Sequence, residues 1–165
     1  IDESARRLLL ALPFANVLDD AHHWEHSLEV QLPFLQEVLG AFTVLPIAIG
    51  LAAPEDVAEA LEDLWGGDET VIVISSDLSH YHDYDTAKRM DAATARAIEA
   101  LEPERLSHDD ACGRIGVQAL LEVAQRRSLV ATTLDLRSSG DTVGGRDEVV
   151  GYGAWAFTVS KNGSP

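Results

Sequence analysis

An apolar run, Thr70-Val71-Ile72-Val73-Ile74, ends directly in Ser75-Ser76-Asp77-Leu78-Ser79-His80-Tyr81-His82. An imidazole at His80 can carry a proton or bind a metal through a neutral ring nitrogen, and a carboxylate at Asp77 can orient that ring. His80 and Asp77 are therefore the catalytic candidates, and His82 is a third polar group at the same place. Cys112 is a second centre, because it precedes Gly113-Arg114-Ile115-Gly116 at the predicted start of a helix. There the helix dipole, the free N–H groups and the Arg114 guanidinium all favour a thiolate, a nucleophile and soft metal ligand. The third cluster is His22-His23-Trp24-Glu25-His26-Ser27, where His22 and His26 would share a helix face. Its order is not His-Glu-x-x-His, so a zinc-protease site is excluded.

Other machinery is absent or badly placed. A hydrolase using Ser76 or Ser79 with His80 and Asp77 would draw nucleophile, base and orienter from one short loop, where a working geometry is hard to reach. There is no Gly-x-Ser-x-Gly elbow and no phosphate-loop lysine, and Gly151-Tyr152-Gly153 lacks the third glycine of a dinucleotide loop. The lone cysteine excludes an internal disulfide and a Cys-rich zinc site.

The elements that must position these groups alternate along the chain. Helices are predicted over 3–12, over a stretch with Leu28, Leu32, Leu35 and Leu39 on one face, and from Pro54 with Val57, Leu61 and Leu64 inward. Pro33 fits best in a first turn, which delays the start of the second of these. Two further helices are predicted over about 84–101, with Ala87, Met90, Ala97, Ile98 and Leu101 inward and Thr94 as the one polar residue on that face, and over about 114–127. Strands are predicted at 42–49, 70–74, 129–136 and 149–159. The β-branched run at 70–74 has the composition of a parallel strand covered on both faces. The expected fold is thus α/β, a sheet of largely parallel buried strands flanked by helices, with ligands beyond the carboxyl ends of the strands.

The 165 residues, 46% of them apolar, suit a single domain. With aromatics at 6%, its core must be built from Ala, Leu, Val and Ile. Between Arg7 and Lys88 there is no Lys or Arg but fifteen Asp or Glu, nearly the whole net charge of −16. Such a field repels phosphate backbones and anionic lipid, so nucleic acid and membrane are not expected partners. No apolar run approaches the roughly 18 residues of a membrane span. The single thiol and the lack of a secretory pattern point to the cytoplasm.

Four ordered motifs carry a resemblance. Glu25-His26-Ser27-Leu28-Glu29-Val30-Gln31-Leu32-Pro33-Phe34-Leu35, then Ser75 to Tyr81, then Cys112 to Gly116, then Ser138-Ser139-Gly140-Asp141 with Val150-Gly151-Tyr152-Gly153-Ala154, resemble signatures of the Memo-like family, met beside AMMECR and radical-SAM proteins. The resemblance implies a fold like that of class III extradiol dioxygenases and a non-haem iron or copper redox site. On that reading Cys112 is a metal ligand, His80 and Asp77 are the active-site pair, and Glu25, His26, His82 and Arg114 lie around the pocket. It also implies that residues 1–165 are the C-terminal part of a larger domain. Two further metal-site histidines and the first strands would then belong to an N-terminal segment, without which the site is inactive and an exposed edge invites homo-oligomers. The alternative is a non-catalytic module that binds a protein, peptide or small molecule in the same pocket.

Overall fold

The computed structural model describes residues 1–159. Four of the six helices among the described residues start where the chain supplies a cap or a proline. The Asp2 carboxylate accepts the N–H groups of Ser4 and Ala5 at the head of α1 (Glu3–Leu9), and α2 is a single turn at Asp19–His22. Pro33 and Pro54 stand in the first turns of α3 (Leu32–Leu39) and α4 (Pro54–Asp63), where a missing N–H loses no intrahelical bond. Asp83 caps α5 (Tyr84–Glu99) by accepting the Thr86 N–H, and α6 runs Arg114–Arg126.

The chain is α/β, and its regular strands among the described residues are antiparallel. They are β1 (His80–His82), β2 (Leu129–Ser138) and β3 (Val149–Val159), in the order β1-β3-β2. The β2–β3 connection turns through Ser139–Asp141, where the Asp141 carboxylate accepts the Ser138 N–H at 2.7 Å and the Tyr84 hydroxyl at 2.6 Å.

Helix α6 is the centre of the core. One of its sides packs Ala119, Leu120 and Val123 against Ala58 and Leu61 of α4, with Ile72, Ile74 and Trp65 closing the cluster. On the other side Leu121 meets Ala97 and Ile98 of α5 and Ala131 of β2. Gln118, the polar residue buried on α6, donates to the carbonyls of Pro103 and Leu106 and so is satisfied. The small side chains match the aromatic-poor composition.

Two predicted strands differ. Residues 42–49 and 70–74 have no ladder partner among the described residues, so the parallel sheet expected around them is not seen in this chain. Nor is 70–74 covered on both faces: Ile72 and Ile74 face the core, while Val71 and Val73 are 66% and 46% exposed. The apolar run meets a helix layer on one side and solvent on the other. No residue before Ala58 is buried. Phe34 and Val38 of α3 are likewise exposed, as is Leu51, while Leu32 and Leu35 of α3 are half-buried.

This one-sidedness yields a contrast. Leu121→Ala should lower the free energy of unfolding by about 2–5 kcal/mol, because it empties a fully buried site. Val71→Ala should change it by less than about 0.5 kcal/mol. Urea unfolding of the two variants measures both.

Candidate functional site

Residues 75–79 belong to no helix or strand, so their polar groups must be satisfied by neighbours. The start of α6 supplies one side. Cys112 N–H donates to the Asp77 carbonyl at 3.2 Å, and Asp77 N–H points back at Cys112 Sγ, also at 3.2 Å. The Ser76 hydroxyl donates to the Asp77 carbonyl at 2.7 Å and accepts the Gly113 N–H at 2.8 Å. Its single proton is thereby used, so at the 3.6 Å contact between Ser76 Oγ and Cys112 Sγ the thiol is the available donor. Cys112 itself is exposed. The sulfur thus receives a backbone N–H and stays open to solvent.

Strand β3 supplies the other side. Leu78 N–H donates to the Gly151 carbonyl at 2.9 Å, and Gly151 N–H donates to the Ser79 carbonyl at 2.8 Å. The chain then enters β1, where His80 lies opposite Val150 and His82 opposite Val149. Tyr81 is the extra residue of a bulge, with φ of 58° and its side chain exposed. Left-handed backbone at a bulky residue is uncommon, and bulges of this kind re-aim the side chains beside them. His80 Nε2 sits 3.6 Å from Asp77 Oδ2. That is an ion-pair separation for a protonated ring and too long for a hydrogen bond.

Cys112, Asp77 and His80 are thus held by one hydrogen-bonded unit. The other pocket candidates are placed differently. Gln31 Nε2 donates to Ser75 Oγ at 3.1 Å and ties the 25–35 motif to the loop. Within that motif, however, Glu25 folds onto its own backbone, accepting the N–H groups of His26 and Ser27 at 2.8 Å each. Those bonds, Ser27 foremost, hold its carboxyl below the ordinary range. His26 is exposed. Arg114 reaches along α6 to Gln118 Oε1 at 3.2 Å, and His82 is half-buried on β1. Among the described residues no three His, Cys, Asp or Glu side chains converge as a metal cluster. One thiol, one imidazole and one carboxylate so arranged do not fit a metal by themselves, since such sites take three protein ligands directed at one point. A hollow of 590 Å³ beside α5 and one of 310 Å³ between α5 and β2 are lined by neither Cys112 nor His80.

The sequence reading missed Asp91. It is 3% exposed and accepts the Ser79 N–H through Oδ1 at 3.1 Å. Its spacing from Ala87 and from Thr94, Ala95 and Ile98 places it on the inward stripe of α5, a signal that was present. Burial raises its carboxyl above the ordinary value, the Ser79 N–H opposes this, and the nearby Asp110 charge adds to the rise.

Two expectations arise from this geometry. A Cβ at Gly113 would lie 2.9 Å from Ser76 Cβ and 3.0 Å from the Ser75 carbonyl oxygen, so Gly113→Ala must part α6 from the loop. It should cost about 1–3 kcal/mol in urea unfolding. For Asp91, both folded and unfolded forms are protonated at low pH and no penalty exists. As pH rises through the raised folded value, the folded chain must carry a poorly hydrated charge and loses stability. The unfolding free energy of Asp91→Asn relative to the unsubstituted chain should therefore grow in favour of Asn as pH rises from the ordinary carboxylate range toward neutrality. A difference that is flat across that interval would contradict the assignment.

Comparison with known proteins now identifies the group. A family model described as Memo-like protein matches residues 1–156. A "MEMO1 family protein" of Aquifex aeolicus is 36% identical over 165 residues, covering 92% of this chain and 61% of that relative. A namesake from Metallosphaera sedula is 31% identical, over 93% of this chain and 58% of its own length. Another from Thermotoga maritima is 39% identical over 142 residues, which is 80% of this chain and 50% of the relative. The chain therefore spans between half and about three-fifths of the length of these relatives. It belongs to the Memo-like family.

Proposed function

We propose that this chain contributes one wall of a non-haem metal redox site, with Cys112 as an iron or copper ligand, His80 as acid and base, and Asp77 as its orienting carboxylate. The observation that carries the reading is the exposed Cys112 sulfur, held by the Asp77 N–H on the same loop that presents His80. A bound iron or copper would supply electron transfer and Lewis acidity. The remaining ligands would come from the roughly two-fifths to one half of the relatives' length that this chain does not span, since it covers 61%, 58% and 50% of the three. Glu25, His26, His82 and Arg114 would lie around the completed pocket.

The surface supports such a completion. The accessible area is 10719 Å² for a 17.8 kDa chain, against roughly 8000 Å² for a compact monomer of that mass. The excess includes the apolar side chains of Phe34, Val38, Leu51, Val71 and Val73. Covered by a further layer, the runs at 42–49 and 70–74 would become inner strands of a larger sheet, as in the class III extradiol dioxygenases that the family resembles. Residues 1–165 would then be the C-terminal part of one domain. No helix among the described residues is long and apolar enough to cross a membrane. The exposed thiol suits the reducing cytoplasm.

Elemental mass spectrometry tests the proposal, on this chain and on one extended to the length of its relatives, each with and without Cys112→Ala. The expected outcome is about one iron or copper per extended chain, lost in the Cys112→Ala variant, since removing one of three ligands abolishes a site of this kind. Folded samples that all lack metal would overturn it. A peptide ligand that still binds such metal-free, Cys112→Ala protein would establish the binding module instead.

A further inference from the structure

We infer that Asp91 is the positioning residue of this site: by holding the backbone of Ser79 against α5, it sets where the His80 imidazole stands relative to Asp77. The inference rests on reading His80 as the chemical group of the site, but not on any metal being bound.

The geometry argues for it in three steps. The turn from the 75–79 loop into β1 has β3 on one side, through the paired bonds of Gly151 with Leu78 and Ser79. On the other side its anchor is Asp91 Oδ1, which takes the Ser79 N–H at 3.1 Å. Ser79 is fully buried, so this N–H has no water to turn to, and the carboxylate is what satisfies it. His80 follows immediately, before the left-handed Tyr81, and its ring direction depends on how Ser79 is held.

The second step concerns Gly151. A Cβ at that position would overlap the Cγ and both oxygens of Asp91. The carboxylate therefore lies flat against the β3 backbone, and only glycine leaves room for it. Helix, loop and strand are locked together at one point, and Gly151 belongs to a motif the sequence reading singled out without finding its purpose.

The third step is chemical. A neutral acceptor would satisfy the Ser79 N–H without placing a poorly hydrated charge in the interior, a charge that costs stability unless it is paired. The structure instead keeps an ionisable group there, hydrogen-bonded to the residue that precedes His80. Asp91 thus faces the backbone that carries His80. The nearby Asp110 charge repels it, and an Asn at 91 would remove that repulsion.

The test uses the metal-free chain and reads the His80 ring by proton–nitrogen correlation spectra, the signals being assigned with His80→Gln. Three variants are compared, with Leu121→Ala as a control for general loosening. Asp91→Asn keeps an acceptor for the Ser79 N–H and should leave the ring signals close to those of the unsubstituted chain. Asp91→Ala removes the acceptor, and Gly151→Ala displaces the carboxylate without altering it. Both should move the His80 ring signals and speed exchange of the Ser79 amide by about tenfold, as expected for one hydrogen bond lost. Leu121→Ala should move neither.

Unchanged His80 signals in a folded Asp91→Ala overturn the inference, and so does an equal change in Leu121→Ala. Should Asp91→Ala fail to fold, the other pair decides: displacement in Gly151→Ala with none in Asp91→Asn supports the assignment, and any other pattern refutes it. Because no metal enters the readout, failure of the metal-content experiment leaves this result standing, and the reverse holds as well.

Discussion

Five residues without regular structure, Ser75 to Ser79, must satisfy their backbone between three elements that are far apart in sequence. The start of α6 provides Cys112 and Gly113, β3 provides Gly151, and α5 provides Asp91. Buried backbone groups left without partners are costly, so the three elements can close only in the arrangement that satisfies this loop. The same closure brings Cys112 Sγ to the Asp77 N–H and leaves His80 3.6 Å from Asp77. Folding and assembly of the candidate site are one event here.

Around that loop the molecule is built on one side. Helix α6 is flanked by α4 on one face and by α5 and β2 on the other, and the small side chains of these helices allow close packing. Beyond the outward valines of 70–74 and the exposed face of α3 the described structure offers no covering layer. Hydrophobic burial is the main favourable term in folding, and these apolar side chains do not contribute to it in the described structure. The acidic stretch from 8 to 87 overlaps the same half of the chain, which sets the charge of what could approach it.

Legibility in the sequence followed the range of the interactions. Helices α4, α5 and α6 were read nearly to their ends because apolar period and the Pro54 that opens α4 are local signals. Strands β2 and β3 were read for the same reason. The runs at 42–49 and 70–74 were read as strands, yet strand character is completed by a partner, and here none pairs with them among the described residues. β1 went unread, since a three-residue strand containing a left-handed Tyr81 has no compositional signal.

The site divides in the same way. Residue type and order alone marked His80, Asp77 and Cys112 as candidates for chemistry, because acid–base and thiol capacity belong to the side chains themselves. Sequence also determined that the chain could not be an internal disulfide framework, since a lone cysteine has no partner in its own chain whatever the fold. Only the tertiary structure decided that Asp77 meets Cys112. It alone revealed Asp91 as a buried acceptor for Ser79, with Gly151 making room for it. The reason is that contacts between residues 12, 35 and 60 positions apart, Ser79 with Asp91, Asp77 with Cys112 and Asp91 with Gly151, depend on where helices and strands come to rest, and packing of the whole core sets that position.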